Sequence, residues 1–383
     1  MLINSWYIAA EAGDLADEPL GVRLLGLDYV LFRDRDGRTV CLANVCCHRG
    51  GSISDGAVTN GCIACPYHGW QYDHTGKVVG IPALGKDAKI PKRARVDSYP
   101  VQERWGYIWV FLGPMSETER PDLPDFLPEY DDRETWYVLR THTDWNANWM
   151  RLGENFLDSS HLKFVHEFGR HLDPEQKLLP VEETEWGGQL VQGLAARKKG
   201  EEITPALTDA LPDEEREQTQ FDIRFSIVGM MHRNRQTFAL GVTQLLWNAW
   251  MPVDDEHTRL YSLQLRTFKQ DAKYDEQMLK TIHFGLGEDL AIVEKLEPVI
   301  APPTTSSELF LETDRMEGLF RRKVREISAR LGEIDIRRLE QERKYQVRVI
   351  PSPARGDDSK NWIHKTVPLI EPDPGTGIER AGP

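Results

Sequence analysis

Cysteine is scarce in this sequence: there are five in 383 residues, all between Cys41 and Cys65. So confined a set cannot staple a chain of this length, which excludes a disulfide framework and points to a metal site in a reducing compartment. Long apolar runs are also missing. No stretch approaches the roughly 20 residues that a membrane helix requires, so no membrane partner is expected. The opening "MLINSWYIAAEAGDLADEP" has no basic n-region, and Glu11 and Asp14 cut its apolar patch. No secretory signal is expected there, and the cytoplasm is the expected location. Finally, positive charge is in deficit. With 47 Lys+Arg against 61 Asp+Glu, the net charge is −14 and the pI is about 5.3. Such a surface repels phosphate backbones, so nucleic acid is not an expected partner.

What is present describes a globular protein of two domains, 40% hydrophobic and 28% charged. Residues 1–112 read as short strands with turn punctuation. "DRDGR" is a hairpin signal between β-rich runs, and "RWGYIWVFLG" is an aromatic strand. Residues 113–132, rich in proline and acid, read as a linker. From 133 to 370, strand-like runs such as "QTQFDIRFSIVGMM" accompany helical stretches at 145–168, 273–297 and 306–331, which suggests an α+β domain. Residues 371–383 read as a loose tail. Neither an internal repeat nor a low-complexity tract is present.

Two short fingers concentrate the chemistry. "CCHRG" at 46–50 and "CPYHGW" at 65–70 each set a thiol and an imidazole in a tight turn bearing glycine. The donors Cys46, His48, Cys65 and His68 suit tetrahedral zinc or a mixed-ligand iron–sulfur cluster. Spacing alone also leaves open an all-thiolate set built from Cys46/Cys47 and Cys62/Cys65. "CCHRGGSISDG" followed by "CPYHGWQYDHTGKVVGIP" resembles the Rieske [2Fe-2S] signature over roughly forty residues, including the Arg-Gly and Gly-Trp that follow the two histidines. That resemblance implies an all-β Rieske domain with Cys46, His48, Cys65 and His68 as cluster ligands. Both thiolates would bind one iron and both imidazoles the other. Cys41, Cys47 and Cys62 then become small buried side chains. Imidazole in place of thiolate raises the cluster's potential, to roughly −150 to +300 mV.

A Rieske ferredoxin would end near residue 113, and this chain continues. Within "GENFLDSSHLKFVHEFG", Asp158 and His161 are helical i, i+3 neighbours. His166, five residues beyond, lies about 140° round an ideal helix. Both imidazoles can reach one ion only if the helix breaks or carries a π-bulge. The pattern Asn155-x-x-Asp158-x-x-His161-x-x-x-x-His166, preceded by Asn148–Trp149, resembles the iron motif of Rieske non-haem iron oxygenase α subunits. It is nearest the vanillate/dicamba monooxygenase-like and carbazole dioxygenase-like groups. Naphthalene-type enzymes carry the asparagine one residue farther from the aspartate.

The resemblance implies a mononuclear Fe(II) held by His161, His166 and a carboxylate on a later helix. In "FGLGEDLAIVEKLEP" this is assigned to Asp289, with Glu288 and Glu294 as rivals. It implies a catalytic role for Asp158, bridging His161 to His68 of a neighbouring subunit and carrying electrons between the centres, with Asn155 as a supporting residue. A helix-grip catalytic domain is expected, in which a curved antiparallel sheet wraps a long helix. NAD(P)H electrons would arrive through a separate reductase or ferredoxin, with O2 as co-substrate. Hydroxylation or O-/N-demethylation of a small aromatic substrate is the expected outcome, in a homotrimer, with cis-dihydroxylation as the alternative. Two other classes compete: a Rieske electron carrier without oxygenase activity and a zinc-stabilised interaction protein. "RKYQVRVIPSPARGDDSKNWIHKTVPLI", near the end, resembles some α-only oxygenases but assigns no residue a function.

Overall fold

The computed structural model describes the chain apart from residues 88, 171–174, 176–177, 197–217, 239–241, 303, 357–360 and 371–383. The expected tail therefore lies outside the described residues. The chain divides into two compact units, one formed by Met1–Leu123 with the stretch from Ser328, the other by Pro124–Ile327.

Among the described residues, the N-terminal part of the first unit is built from short strands in three sheets, and its returning C-terminal stretch adds a two-stranded parallel pair, Arg348–Val349 with Lys365–Thr366. Strands β1 (Ser5–Glu11), β2 (Leu20–Leu24), β3 (Leu27–Arg33) and β4 (Thr39–Ala43) precede the first finger. Next come β5 (Ala57–Thr59), β6 (Cys62–Ala64), β7 (Gln71–Tyr72) and β8 (Val78–Gly80), then β9 (Ser98–Tyr99), β10 (Val101–Arg104) and β11 (Tyr107–Leu112). The sheets run β1-β11-β10, β2-β3-β4-β9 and β5-β6-β7-β8. The "DRDGR" signal is the β3–β4 turn. The Asp34 carboxylate accepts the main-chain N–H groups of Asp36 and Arg38, while Gly37 takes the left-handed φ of 77° that a side chain would resist. Each finger lies between strands, one between β4 and β5 and the other between β6 and β7. A buried cluster including Phe32, Leu42, Ile53, Ile63, Tyr72 and Val96 packs around Cys46 and Cys65.

The unit also contains chain from the far end of the sequence. Residues 328 to 370, which the sequence reading placed in the catalytic domain, return to it. The Asn4 side chain donates to the Leu331 carbonyl, the Tyr99 hydroxyl donates to that of Ile350, and Arg355 pairs with buried Asp97. The expected linker divides too. Residues up to Leu123 stay with the first unit, where the Trp6 indole donates to the Pro121 carbonyl, and Glu129 in the second unit pairs with Arg233.

The second unit holds one antiparallel sheet of seven strands. These are β12 (Tyr137–Trp145), β13 (Val181–Glu183), β14 (Gly187–Ala196), β15 (Gln218–Ser226), β16 (Met231–Thr237), β17 (Thr243–Pro252) and β18 (Thr258–Arg266), in the order β12-β18-β17-β16-β15-β14-β13. Among the described residues, four helices accompany it: α1 (Trp149–Leu157), α2 (Leu162–Val165), α3 (Asp275–Val293) and α4 (Arg315–Leu331). Paired strands place His232, Asn248, Ser262 and Thr141 in one row across one face. The next row on that face runs Asn234, Leu246, Gln264 and Leu139. Thr141 Oγ1 bonds His283 Nε2 of α3 at 2.7 Å, and Leu139 packs with Met278, so α3 lies against this face. On α4, Phe320 packs between Trp149 and Trp250 so closely that a Cβ on Gly153 would stand 2.5 Å from its ring. Helix α4 begins nine residues later than its sequence pattern suggests; the Asp314 carboxylate accepts the Leu311 N–H in the separate short turn, Glu312–Asp314, just ahead of it.

Candidate metal centres

The two fingers have the same backbone. Cys46 N–H donates to the Gly51 carbonyl at 2.8 Å, and Gly50 N–H returns to the Cys46 carbonyl at 2.9 Å. In the second finger Cys65 N–H donates to Trp70 and Gly69 N–H returns to Cys65, both at 2.9 Å. Gly50 and Gly69 stand at φ 72° and 70°, where a side chain would strain the turn. The turns bury both thiols and bring the imidazoles outward: Cys46 and Cys65 are 3% and 1% exposed, whereas His68 is at the surface. The His48 and His68 rings meet edge-on with centroids 4.5 Å apart, and Trp70 stacks on His48 at an interplanar angle of 4°.

Around the thiols, Tyr72 Oη lies 3.0 Å from Cys46 Sγ and accepts the Cys47 N–H. Gly51 packs tightly on the second finger, since a Cβ there would lie 3.2 Å from Cys65 Sγ. The remaining cysteines are free thiols. Cys41 and Cys47 are buried as expected, but Cys62, at the start of β6, is only half-buried.

The second constellation depends on a helix ending early. α1 stops at Leu157, and Asp158 turns extended at φ −74°, ψ 131°. Its carboxylate accepts the Ser160 N–H at 2.5 Å, which starts a new short helix. α2 spans only Leu162–Val165, with His161 at its N-terminal cap and His166, extended again, at its C-terminal cap. This break removes the 140° separation an ideal helix would impose. The two imidazoles face one another with centroids 5.2 Å apart.

Asp289 of α3 meets them. Its Oδ1 lies 3.4 Å from His161 Nε2 and 3.2 Å from His166 Nε2, and accepts from Asn155 Nδ2 at 3.3 Å. Donor atoms of His161, His166 and Asp289 all fall within 4.8 Å of one another, the one such group found among the described residues. The rival carboxylates have other partners. Glu288 takes the opposite nitrogen of His166, Nδ1, at 3.0 Å and the Glu167 N–H at 3.1 Å. Glu294 accepts both N–H groups of Asn146. Asp158 Oδ2 lies 3.3 Å from His161 Nδ1. Each histidine thus has a carboxylate behind it and offers Nε2 forward.

The electrostatics follow from burial set against these pairs. Burial opposes charge on His161, but Asp158 and Asp289 outweigh it and push the pKa up to about 9. Burial likewise disfavours the Asp289 carboxylate, yet the two imidazoles hold its pKa down to about 2.

The sheet face towards α3 adds residues that the sequence reading did not name. His232 is buried, its pKa is pushed down to about 3 by that burial, and neither ring nitrogen has a hydrogen-bond partner among the described residues. Asn234 Oδ1 and Trp250 Nε1 are also buried and unpartnered there. Phe156 of α1 lies 5.7 Å from the His232 ring and stacks on Trp250. On α3, Met278, Ile282, Gly285 and Asp289 share one stripe, and a Cβ at Gly285 would meet nothing within 4 Å. The strand "MHRNRQT" did hold a signal, for it is polar at alternate positions on both faces, which a half-buried strand rarely is.

Residues 5–100 match the Rieske [2Fe-2S] domain family, and residues 145–330 match the vanillate O-demethylase oxygenase C-terminal domain. The chain belongs to the Rieske non-haem iron oxygenases. The oxygenase component of dicamba O-demethylase from Stenotrophomonas maltophilia is 34% identical over 175 residues, 46% of this chain and 50% of that protein. Methylxanthine N1-demethylase NdmA from Pseudomonas putida is 28% identical over 316 residues, 82% of this chain and 81% of that protein. The chain spans about half the length of this dicamba O-demethylase component and of two further curated relatives that it matches at 33% identity. Among solved structures, NdmA with caffeine shares the fold at TM-score 0.70 and 23% identity, covering 85% of this chain and 90% of that one.

Both donor sets suit the groups a Rieske oxygenase carries. Two buried thiols, two outward imidazoles and a His48 Nδ1 that is buried without a hydrogen-bond partner among the described residues fit a two-iron cluster. Two imidazoles and one carboxylate fit the facial triad of non-haem iron(II). Glu288→Ala tests the surroundings of the second set. It should weaken anaerobic Fe(II) binding roughly 10–100-fold and leave the Rieske spectrum intact. Complete loss of binding would make Glu288 a ligand.

Proposed function

We propose that this chain is the terminal oxygenase component of a multicomponent system. It would use O2 and NAD(P)H-derived electrons, delivered by a separate reductase or ferredoxin, to hydroxylate or O-/N-demethylate a small aromatic substrate. The observation that carries this reading is the meeting of His161, His166 and Asp289 in a unit that follows a Rieske domain. An electron carrier has no use for a second metal triad. In this reading Cys46, His48, Cys65 and His68 hold the cluster, and His161, His166 and Asp289 hold the mononuclear iron. When bound, these groups supply one-electron storage and dioxygen activation.

The protein's own part is positioning. Asp158 and Glu288 accept from the Nδ1 side of their histidines, which selects the tautomer that presents Nε2. Asp158 is also our choice for the carboxylate that reaches His68 of the neighbouring subunit in a homotrimer. Nothing in the described residues resembles a membrane span: no helix is long and apolar enough to cross one. We place the enzyme in the cytoplasm.

The substrate would lie beside Gly285, against Phe156, Trp250, His232 and Asn234. His232 is neutral and Asn234 offers an acceptor, while the buried cation on that face, Arg266, is already paired with Asp275. This supports a neutral substrate with hydrogen-bonding groups over an aryl anion. Demethylation is consistent with the relatives named for it, dicamba O-demethylase and methylxanthine N1-demethylase.

The test is metal analysis of anaerobically loaded protein, followed by oxygen uptake with a reductase across methoxy-aromatics, N-methyl compounds and aromatic acids. About three irons per chain and uptake triggered by neutral members are expected. Two irons without triggered uptake would point to a carrier, and zinc to an interaction protein.

A further inference from the structure

Positive charge, in deficit over the chain as a whole, is concentrated around the first donor set. Residues 46–96 contain seven Lys+Arg and three Asp+Glu, in a chain whose net charge is −14. The run "KIPKRAR", Lys89 to Arg95, holds four bases and no acid. Its apolar side chains face inward: Ala94, with Val96 just beyond it, belongs to the buried cluster that packs around Cys46 and Cys65, and Ile90 packs against that cluster. The main chain of the run is tied to β8 and the turn before it. Val78 N–H donates to the Ala94 carbonyl at 2.9 Å, and Val96 N–H to that of Gly76 at 2.8 Å. Lys77 and Arg95 form an antiparallel bridge between the two segments. The bases are left outside. Lys77, Lys89, Lys92 and Arg93 are exposed, and none has an ion-pair partner among the described residues. Arg95 is occupied, its guanidinium lying 4.3 Å from the ring centre of Trp362. Asp73, in the same turn as Lys77, is occupied too, accepting the N–H groups of Thr75 at 2.8 Å and Lys77 at 3.1 Å.

We propose that Lys77, Lys89, Lys92 and Arg93 form the docking surface for the electron donor, an acidic protein domain that carries a plant-type [2Fe-2S] cluster. The claim deepens the oxygenase reading and rests on it. An acidic partner is repelled by a surface of net charge −14 and is drawn to the one loop whose bases are unpaired and free of acids. Steering of this kind raises association rates by roughly 10–1,000-fold. The location suits the task. The buried side of the loop packs on the residues around Cys46 and Cys65, so a donor seated there is separated from those thiols by the loop and the apolar side chains beneath it. In the same reading His68 serves the neighbouring subunit, and the donor needs a contact other than that ring. One electron is transferred: the donor's cluster is oxidised and the Rieske cluster reduced, with no bond made or broken. From a plant-type cluster at about −400 mV to a Rieske cluster at roughly −150 to +300 mV the step runs downhill.

The experiment follows reduction of the oxidised Rieske cluster in the holoenzyme by stopped-flow absorbance. The probe is a reduced, acidic plant-type ferredoxin, and reduced methyl viologen, a small cation, is the control reductant. The wild-type rate with ferredoxin should fall as salt rises. The triple variant Lys89→Glu, Lys92→Glu, Arg93→Glu should lower that rate roughly 10–100-fold at low salt and flatten its salt dependence, without slowing reduction by methyl viologen. A second triple variant, Lys273→Glu, Lys280→Glu, Lys295→Glu, changes net charge equally from exposed positions in the second unit and should keep most of the rate. A wild-type rate indifferent to salt, an unslowed loop variant, or equal losses in the two variants overturns the proposal. Slowing with both reductants also overturns it, since the effect then lies in the cluster. So does a loop variant that loses its wild-type oligomeric state, which assigns the loop to a contact between copies. If charge reversal prevents folding, Gln at the same three positions is read instead: a smaller fall confined to ferredoxin supports the proposal, and an unchanged rate overturns it. The oxygenase reading fails separately, through a wild-type protein with no Rieske signal or no mononuclear iron.

Discussion

Asp289→Ala is expected to purify with an unaltered Rieske spectrum, to carry about two irons per chain in place of about three, and to show no oxygen uptake on addition of substrate. Three donors within 4.8 Å would hold the proposed iron, and among the described residues only the Asp289 carboxylate approaches both imidazoles. With its pKa held near 2 it is charged throughout the working pH range, and so supplies the one anion of the triad. The neighbouring acids cannot substitute without giving up their own bonds, Glu288 to His166 and Glu167, and Glu294 to Asn146. The cluster turns depend on none of these contacts. Iron quantification, visible absorption and oxygen electrode traces on one preparation decide the matter, and a full iron complement in the variant would transfer the ligand role to another carboxylate.

Asp158→Asn should keep both metals yet slow cluster oxidation in a single turnover by roughly 10–100-fold, the usual cost of losing a group that orients a metal ligand. In the structure the carboxylate makes two bonds that an amide cannot both reproduce with the same charge, to the Ser160 N–H and to His161 Nδ1. The proposed route between subunits gives this variant a sharper test. Co-expression of Asp158→Asn with Cys65→Ser should restore turnover, because an intact cluster on one chain can then serve an intact Asp158 and iron on its neighbour. A relay confined to one chain predicts no recovery. Unchanged single-turnover rates in Asp158→Asn would end the bridging role altogether.

The candidate site was unevenly legible in the sequence. The cluster fingers could be read because each is a local object, closed by bonds between residues four and five apart along the chain and turned by a glycine at positive φ. His161 and His166 could be read as a pair, but not how they converge. That depended on the break at Asp158, where a side-chain cap competes with the helix and wins. The carboxylate could be assigned to Asp289 only with Glu288 and Glu294 as rivals, since partners 122 residues apart, such as His166 and Glu288, are joined by packing and not by any local pattern. The residues facing α3 were not legible, because which strand face is covered depends on where the helix docks.

By itself, then, the order of residues indicated the fold class and placed the cysteines and histidines of both candidate donor sets in short segments, since tight turns and ligand spacing are local properties. Only the tertiary structure decided which carboxylate lies beside both imidazoles, that the His232 ring nitrogens and Asn234 Oδ1 are buried without a hydrogen-bond partner among the described residues, and that the chain from Ser328 returns to the first unit. These depend on contacts between segments far apart in sequence, and such contacts form only when burial and hydrogen bonding across the whole fold are satisfied together.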